Sequence, residues 1–538
     1  MTVSRRTFLA AGSALGAATV LDGPVVPVAE AVGAADATSA PARTPAGPRT
    51  PGDRRRVEYR LPTLTFAVAE QQHIGAVYEA ALTGLIGINT VYADPPTYDH
   101  AHRVAYPPGA FVRAGGGYPS PQRWSRDAAV NAWNAASLLG PLVGANTLWA
   151  VVDEGAGGLI VQQDNQWWDQ IVCVVAAWHH FTVTGDRSFL ADAFQTSANT
   201  IAARRAHNFN ADLGLFAGPS FMNDGIAGYP SPPYQDGIGS SFVLDYPHAD
   251  ELMCLSTNCL YLGAYDALAG MAKELGRPAG TYRQAGSALR QAINKHLWRE
   301  DAGTYGYFVH GADSQAGRLD PSQEGAGLAF AVLFGAADAR QTRRLLDATH
   351  WQPHGIVNVW PHFPRFSDDR PGRHNVIVWP MVHSMFGHAA AAGGRPDLFG
   401  RAVTELAALV AGSKGNFYEI YNSITGVVDG GWQTGNASQW TSQPDQAWSA
   451  SGFLRMIYSG LFGLTFTPGA LTFAPTLPAG WGRVALSGLP YRDATLDIEL
   501  SGAGNRVRSC TIDGRPSRPV ITADRPGEHT VRITLGPG

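Results

Sequence analysis

The feature that most limits how this chain can fold is a succession of apolar 3.6-residue periods, separated by helix punctuation, between Trp124 and Leu464. The periods fall at 127–139, 166–184, 189–206, 250–275, 281–297, 323–333, 337–348, 376–392, 397–411 and 446–461. Each has the length and spacing of a helix with an apolar face. Thr184-Gly185-Asp186 offers a glycine to end one helix and an aspartate to cap the next, and Gly394-Arg395-Pro396-Asp397 reads the same way. Joints this short make antiparallel pairs. With one more helix before Trp124, the count approaches the twelve needed to close six helical hairpins into a double ring. The expected fold is therefore mainly α, an (α/α)6 toroid whose alternate helices form an inner barrel.

Long Gly-, Pro- and aromatic-rich loops at 106–123, 214–246, 351–375 and 412–446 should gather at one end of that barrel. Loops of this length inside a compact domain usually carry function. After Leu464 the texture changes. Segments 471–475, 483–486, 494–500, 507–512 and 529–535 alternate with a period of two between Gly and Pro turns, which predicts a small C-terminal β-sandwich.

At the other end, Ser4-Arg5-Arg6-Thr7-Phe8-Leu9 precedes a short apolar run of small residues, the pattern of a twin-arginine export signal over 1–33. Residues 34–56 read as a disordered Pro/Ala/Arg linker, 57–464 as the barrel, opening with a short strand and a helix, and 465–538 as the β-module. The expectation is a folded protein exported from a bacterial cell.

Composition removes several classes. Hydrophobic residues make up 45% and charged residues 16%, enough apolar material for a large core. A net charge of −4 with no basic stripe argues against nucleic acid. Cys173, Cys254, Cys259 and Cys510 form no C-x-x-C pair and read as buried free thiols. His179-His180 and His383 with His388 have the wrong spacing for a shared metal. No P-loop or G-x-S-x-G element is present, and no cofactor or metal is expected.

The chemistry is concentrated in a few stretches. Phe417-Tyr418-Glu419-Ile420-Tyr421-Asn422 sets a carboxylate among rings, followed by Thr425-Gly426 and a Trp-rich run to Gln446-Ala447-Trp448. Rings grip the apolar face of a sugar, and a carboxylate accepts a proton from water. Inverting glycoside hydrolysis needs an acid and a base roughly 6.5–9.5 Å apart. Glu419 is the expected base. Asp224, in the turn Asn223-Asp224-Gly225 near Tyr229, is the expected acid, with Asp236, Asp245, Asp250 and Glu324 as rivals. Trp124-Ser125-Arg126-Asp127 and Gln163-Asp164-Asn165-Gln166-Trp167-Trp168-Asp169 join rings to groups able to chelate sugar hydroxyls. Trp379 stands at another helix mouth, and Tyr421 and Trp448 complete the expected substrate contacts.

These residues resemble the six-hairpin glycosidases, the (α/α)6-barrel group of trehalases, family 63 glycosidases with mannosylglycerate hydrolase, and glucoamylases. Glu419 through Thr425-Gly426, then Gln446-Ala447-Trp448-Ser449-Ala450, is similar to the late base motif of family 63. Trp124-Ser125-Arg126-Asp127 is similar to the Trp-Thr-Arg-Asp element by which glucoamylases hold a terminal sugar, and Trp168-Asp169 to the Trp-Asp of the trehalase and family 63 group. The likeness spans 123–464, and Asn223-Asp224-Gly225 departs from its pattern. It implies an inverting mechanism, and with the export signal the expected protein is a secreted, inverting, exo-acting hydrolase of an oligo- or polysaccharide, monomeric or a small homo-oligomer. A polysaccharide lyase using Tyr229, Tyr234 or His248 and a non-catalytic carbohydrate-binding protein are the alternatives.

Overall fold

A computed structural model describes residues 59–91, 110–118, 122–155, 157–161, 167–221, 243–364, 366–432 and 439–538. Residues 1–56, expected from sequence to be an export signal and a linker, lie outside these residues. The helices are α1 (Gln72–Leu82), α2 (Ser125–Asn131), α3 (Ser137–Leu139), α4 (Pro141–Trp149), α5 (Val172–Thr184), α6 (Arg187–Asn208), α7 (Leu255–Glu274), α8 (Gly280–His296), α9 (Gly325–Leu333), α10 (Ala339–Ala348), α11 (Pro380–Ala392), α12 (Pro396–Gly412) and α13 (Ala447–Arg455). A wider π turn, Ala132–Ala136, joins α2 and α3 into one rod, so these segments make twelve rods among the described residues.

Contacts close α2, α5, α7, α9, α11 and α13 into a ring, each helix touching the next and α13 returning to α2. The two sets of helices differ in burial for a physical reason. Along α7 nearly every side chain is buried, because a helix of the inner ring has neighbours on all sides. On α8 only Gly286, Leu289, Ala292 and Ile293 are buried, the single stripe of a helix covering a core from outside. Helix α4 is the rod that periodicity missed. Gly140 and Pro141 break the pattern ahead of it, while Pro141 at its first turn needs no backbone N–H.

The joints explain the antiparallel pairing. Gly185 ends α5 at φ 73°, and Asp186 caps α6 by accepting from Ser188 N at 2.9 Å and Phe189 N at 3.1 Å. The second joint works differently from the expectation. Pro396 opens α12, so Arg395 is its N-cap, and Asp397 pairs with the Arg395 guanidinium at 2.6 Å without capping the helix.

The C-terminal part contains two sheets. One holds Leu464–Thr467, Ala470–Phe473 and Val520–Thr522. The other is six-stranded: Thr63–Phe66, Val484–Tyr491, Ala494–Gly502, Gly527–Gly536, Arg506–Ile512 and Arg515–Pro516, in that order. The edge strand Thr63–Phe66, assigned from sequence to the barrel segment, pairs antiparallel with Val484–Tyr491 and turns Leu64 and Phe66 inward. So short a strand carries no local sign of a partner near the far end of the chain. Gly463 makes the sharp exit from the last helix at φ 59°, where a Cβ would lie 2.0 Å from Ala474 O. Arg492 ties sheet to barrel by donating to the Thr182 and Val183 carbonyls at the end of α5.

Candidate active site

The first turns of the inner helices meet at one end, and Arg126 is the side chain that joins them. It is 6% exposed on α2. Its Nη1 lies 3.3 Å from Asp169 Oδ2 just before α5 and donates to Phe221 O at 3.0 Å. Its guanidinium sits 5.2 Å from the Trp448 ring centre on α13 and 5.8 Å from that of Trp379 at the start of α11. A planar cation between aromatic faces and a carboxylate is held in one orientation. Asp127 beside it is buried, and half-buried Trp124 meets Tyr118 edge-on at 5.0 Å. Helix N-termini gathered this way favour negative charge, which suits the buried carboxylates found here.

Glu419 comes from the loop between α12 and α13 and is 3% exposed. Two backbone bonds between Tyr421 and Val378, each 2.9 Å, pin its loop to the approach to α11. Its Oε2 accepts from Trp440 Nε1 at 3.0 Å, and its Oε1 stands 3.8 Å from His374 Nε2. His374 occupies the left-handed region at φ 58° and stacks on Trp379 with ring centres 4.1 Å apart. A non-glycine residue held there signals a local constraint of the kind found at functional sites. Arg373 lies over the Trp440 ring at 3.8 Å. Burial alone would raise the Glu419 pKa, but His374, the Arg373 charge and the Trp440 N–H outweigh it and hold the carboxyl below its ordinary value. Glu419 is thus an ionised carboxylate in a nearly dry site. Tyr118, raised well above the usual phenol value by burial and then by Glu419 and Asp127, stays protonated between the two carboxylates.

A second buried carboxyl, Glu324, opens α9. It accepts from Ser220 Oγ and Ser256 Oγ, and from Ser256 N at 2.8 Å. Burial pushes its pKa up to about 7 against those hydrogen bonds. Both its oxygens are taken up by Ser220 and Ser256. Asp250 is exposed.

Several expectations are corrected. Tyr421 does not reach the site. Its hydroxyl bonds to Ser413 Oγ and Asn416 O, each at 3.1 Å, and accepts from Tyr418 N, so it braces the Glu419 loop from behind. Trp168 is fully buried in a cluster with Val243, Tyr246 and Phe363. Trp379 and Trp448 are buried too and meet edge-on at 5.1 Å, forming a floor under Arg126. His248, a candidate lyase base, is paired with surface Glu251 at 2.8 Å. Asp224, Asp236, Tyr229, Tyr234, Gln163 and Asp164 lie outside the described residues, as does the side chain of Asp245. Sequence reasoning missed Arg373, His374 and Trp440 as partners of Glu419. The one signal was aromatic density after Trp432, which does not say which ring turns back. Among the described residues no group of three or more His, Cys, Asp or Glu converges on a metal position, and no helix is long and apolar enough to cross a membrane.

A closed ring of helices with rings and carboxylates at its mouth defines a glycosidase-type helical toroid. The family model for the mannosylglycerate hydrolase MGH1-like glycoside hydrolase domain matches residues 120–449, and the chain belongs to that family. The model for the C-terminal domain of glycosyl hydrolase family 65 matches 464–526. Comparison with curated proteins returns no match. Among solved structures, a sialidase aligns at 15% identity and TM-score 0.62 over 85% of this chain. A family 78 rhamnosidase of Bacillus sp. GL1 aligns at 13% and 0.50 over 88%. The chain spans 40% and 44% of those two proteins' lengths. The family 63 mannosylglycerate hydrolase of Thermus thermophilus aligns at 15% and 0.49, over 71% of this chain and 100% of its own.

Proposed function

We propose that this protein is an inverting, exo-acting glycoside hydrolase that removes a terminal sugar from an oligo- or polysaccharide. Glu419 is the general base and Asp224 the general acid. The observation that carries this reading is the state of Glu419: buried, ionised, and oriented by the Trp440 N–H beside His374. A carboxylate held this way abstracts a proton from one water as it attacks the anomeric carbon. Asp224 hands its proton to the leaving oxygen on the opposite face. Arg126, Asp127 and Trp124 bind the terminal ring, and the Trp379–Trp448 floor supports a blind pocket and hence the exo mode. Trp167 contributes at the rim, Asp169 holds Arg126 from within, and the two C-terminal sheets form the sandwich that buttresses the barrel. We read residues 1–33 as a twin-arginine leader that exports the folded enzyme, as a monomer or small homo-oligomer.

The test is a panel of plant and bacterial glycans with the product anomer followed by proton NMR. Release of a single terminal sugar with inverted configuration, abolished in Glu419→Gln, is the expected result. Retained configuration would overturn the mechanism, and an ultraviolet-absorbing unsaturated product would point to a lyase. A reporter fused to residues 1–33 should require the twin-arginine translocase for export.

A further inference from the structure

Deeper in the barrel, past the floor of the site, lies a buried cation with no anionic counterpart among the described residues. Arg455, the last residue of α13, is 3% exposed. Its Nε donates to His388 Nδ1 at 3.1 Å and its Nη1 to Asn134 Oδ1 at 3.2 Å. Its guanidinium stacks 3.9 Å from the Trp133 ring centre. No carboxylate forms an ion pair with it among the described residues. A guanidinium has five N–H donors, and two neutral acceptors leave most of them in want of a partner. An uncompensated charge in a low-dielectric core is among the costliest arrangements a fold can keep.

The surroundings are built like a receptor. His179 on α5 and His388 on α11 are half-buried where most of their neighbours are buried. Both imidazoles are held neutral by burial and by the Arg455 charge, leaving ring N–H groups as donors. Asn134 donates to Ser451 Oγ at 3.2 Å, which donates onward to Asn131 Oδ1 at 2.8 Å, so the amide oxygen of Asn134 is turned toward Arg455 by its own second bond. Two of the four rods that carry the cluster widen here, into the π turns Ala132–Ala136, which holds Trp133 and Asn134, and Met456–Leu461, which follows Arg455. Such turns cost backbone regularity and recur at ligand sites. The His179 ring meets Phe466 of the first C-terminal strand edge-on at 5.5 Å, which closes the cluster on the side of the β-module.

We infer that Arg455, His179 and His388 form a binding site for a small monovalent anion of halide size in the closed half of the barrel, separate from the sugar site. The ion completes the donor set of Arg455 and ties α13 to α5 and α11 where the β-module joins the ring. Its occupancy stabilises the fold by mass action.

The experiment is thermal unfolding of the full protein in sodium bromide or chloride against sodium gluconate, an anion too bulky to enter, at equal ionic strength and pH. A saturable rise in Tm on the order of 1–3 °C in the halides, absent in Arg455→Met, is expected. Equal Tm in halide and gluconate overturns the proposal, as does an unchanged halide effect in Arg455→Met. Should that variant not fold, anomalous diffraction from wild-type crystals in bromide decides. A peak against the Arg455 guanidinium supports the site, and none there at saturating bromide sinks it.

Discussion

Trp440 donates its indole N–H to Glu419 Oε2 at 3.0 Å, reaching back over 21 positions of the chain. The bond sets the direction of the carboxylate and lowers its affinity for a proton. It also leaves the second oxygen facing His374.

Removing that donor should be visible in the pH profile. The Glu419 pKa is depressed in the folded protein, so base activity is present above it and falls as pH drops through it. Trp440→Phe deletes a bond to the ionised form, and the acidic limb of kcat/KM should move to higher pH. Glu419→Gln should lower kcat by roughly 10²–10⁴-fold with little change in Tm. An unmoved limb in Trp440→Phe would detach the tryptophan from the chemistry.

Arg126 is tested by changing its shape at constant charge. Arg126→Lys loses the planar fork that lies between Trp379, Trp448 and Asp169, so KM should rise more than kcat falls. Arg126→Met also removes the buried ion-pair partner of Asp169, a loss of about 3–5 kcal/mol in denaturant unfolding. Equal stability of the Lys and Met variants would contradict this account.

Glu324 gives a stability signature of opposite sign to Glu419. Its folded pKa of about 7 stands above the ordinary carboxylate value, so the stability it favours is present at low pH and is lost as pH rises through 7. The loss is on the order of 3 kcal/mol at most. Tm of the wild type should fall between about pH 5 and 8, and Glu324→Gln should flatten that slope. Parallel curves would show that another group titrates.

Arg492 is a mechanical tie between barrel and β-module, donating to Thr182 O, Val183 O and Pro468 O. Arg492→Ala should destabilise by roughly 1–3 kcal/mol while leaving kcat and KM unchanged. A change in KM would mean that the module reaches the substrate.

What could be read in advance follows range of interaction. Helices 280–296 and 396–412 were legible because a buried stripe every three or four residues is local information. The β-segments were legible for the same reason at period two. Asp397 was misread because the competing partner, Arg395, is two residues away and the choice turned on where Pro396 began the helix. Glu419 stood out by its aromatic frame, yet Tyr421, two residues on, was assigned to the wrong side of the loop.

By itself the chain's order of residues determined which segments are helices, where they turn, and that acids and rings crowd a few loops. Those properties depend on backbone preference and neighbours within a few positions. Only the closed ring decided that Trp440 and His374 flank Glu419, that Arg126 reaches Asp169, Trp379 and Trp448, and that Arg455 stands beside two histidines. Each of those pairings couples distant residues through burial, and burial exists only once the barrel has closed.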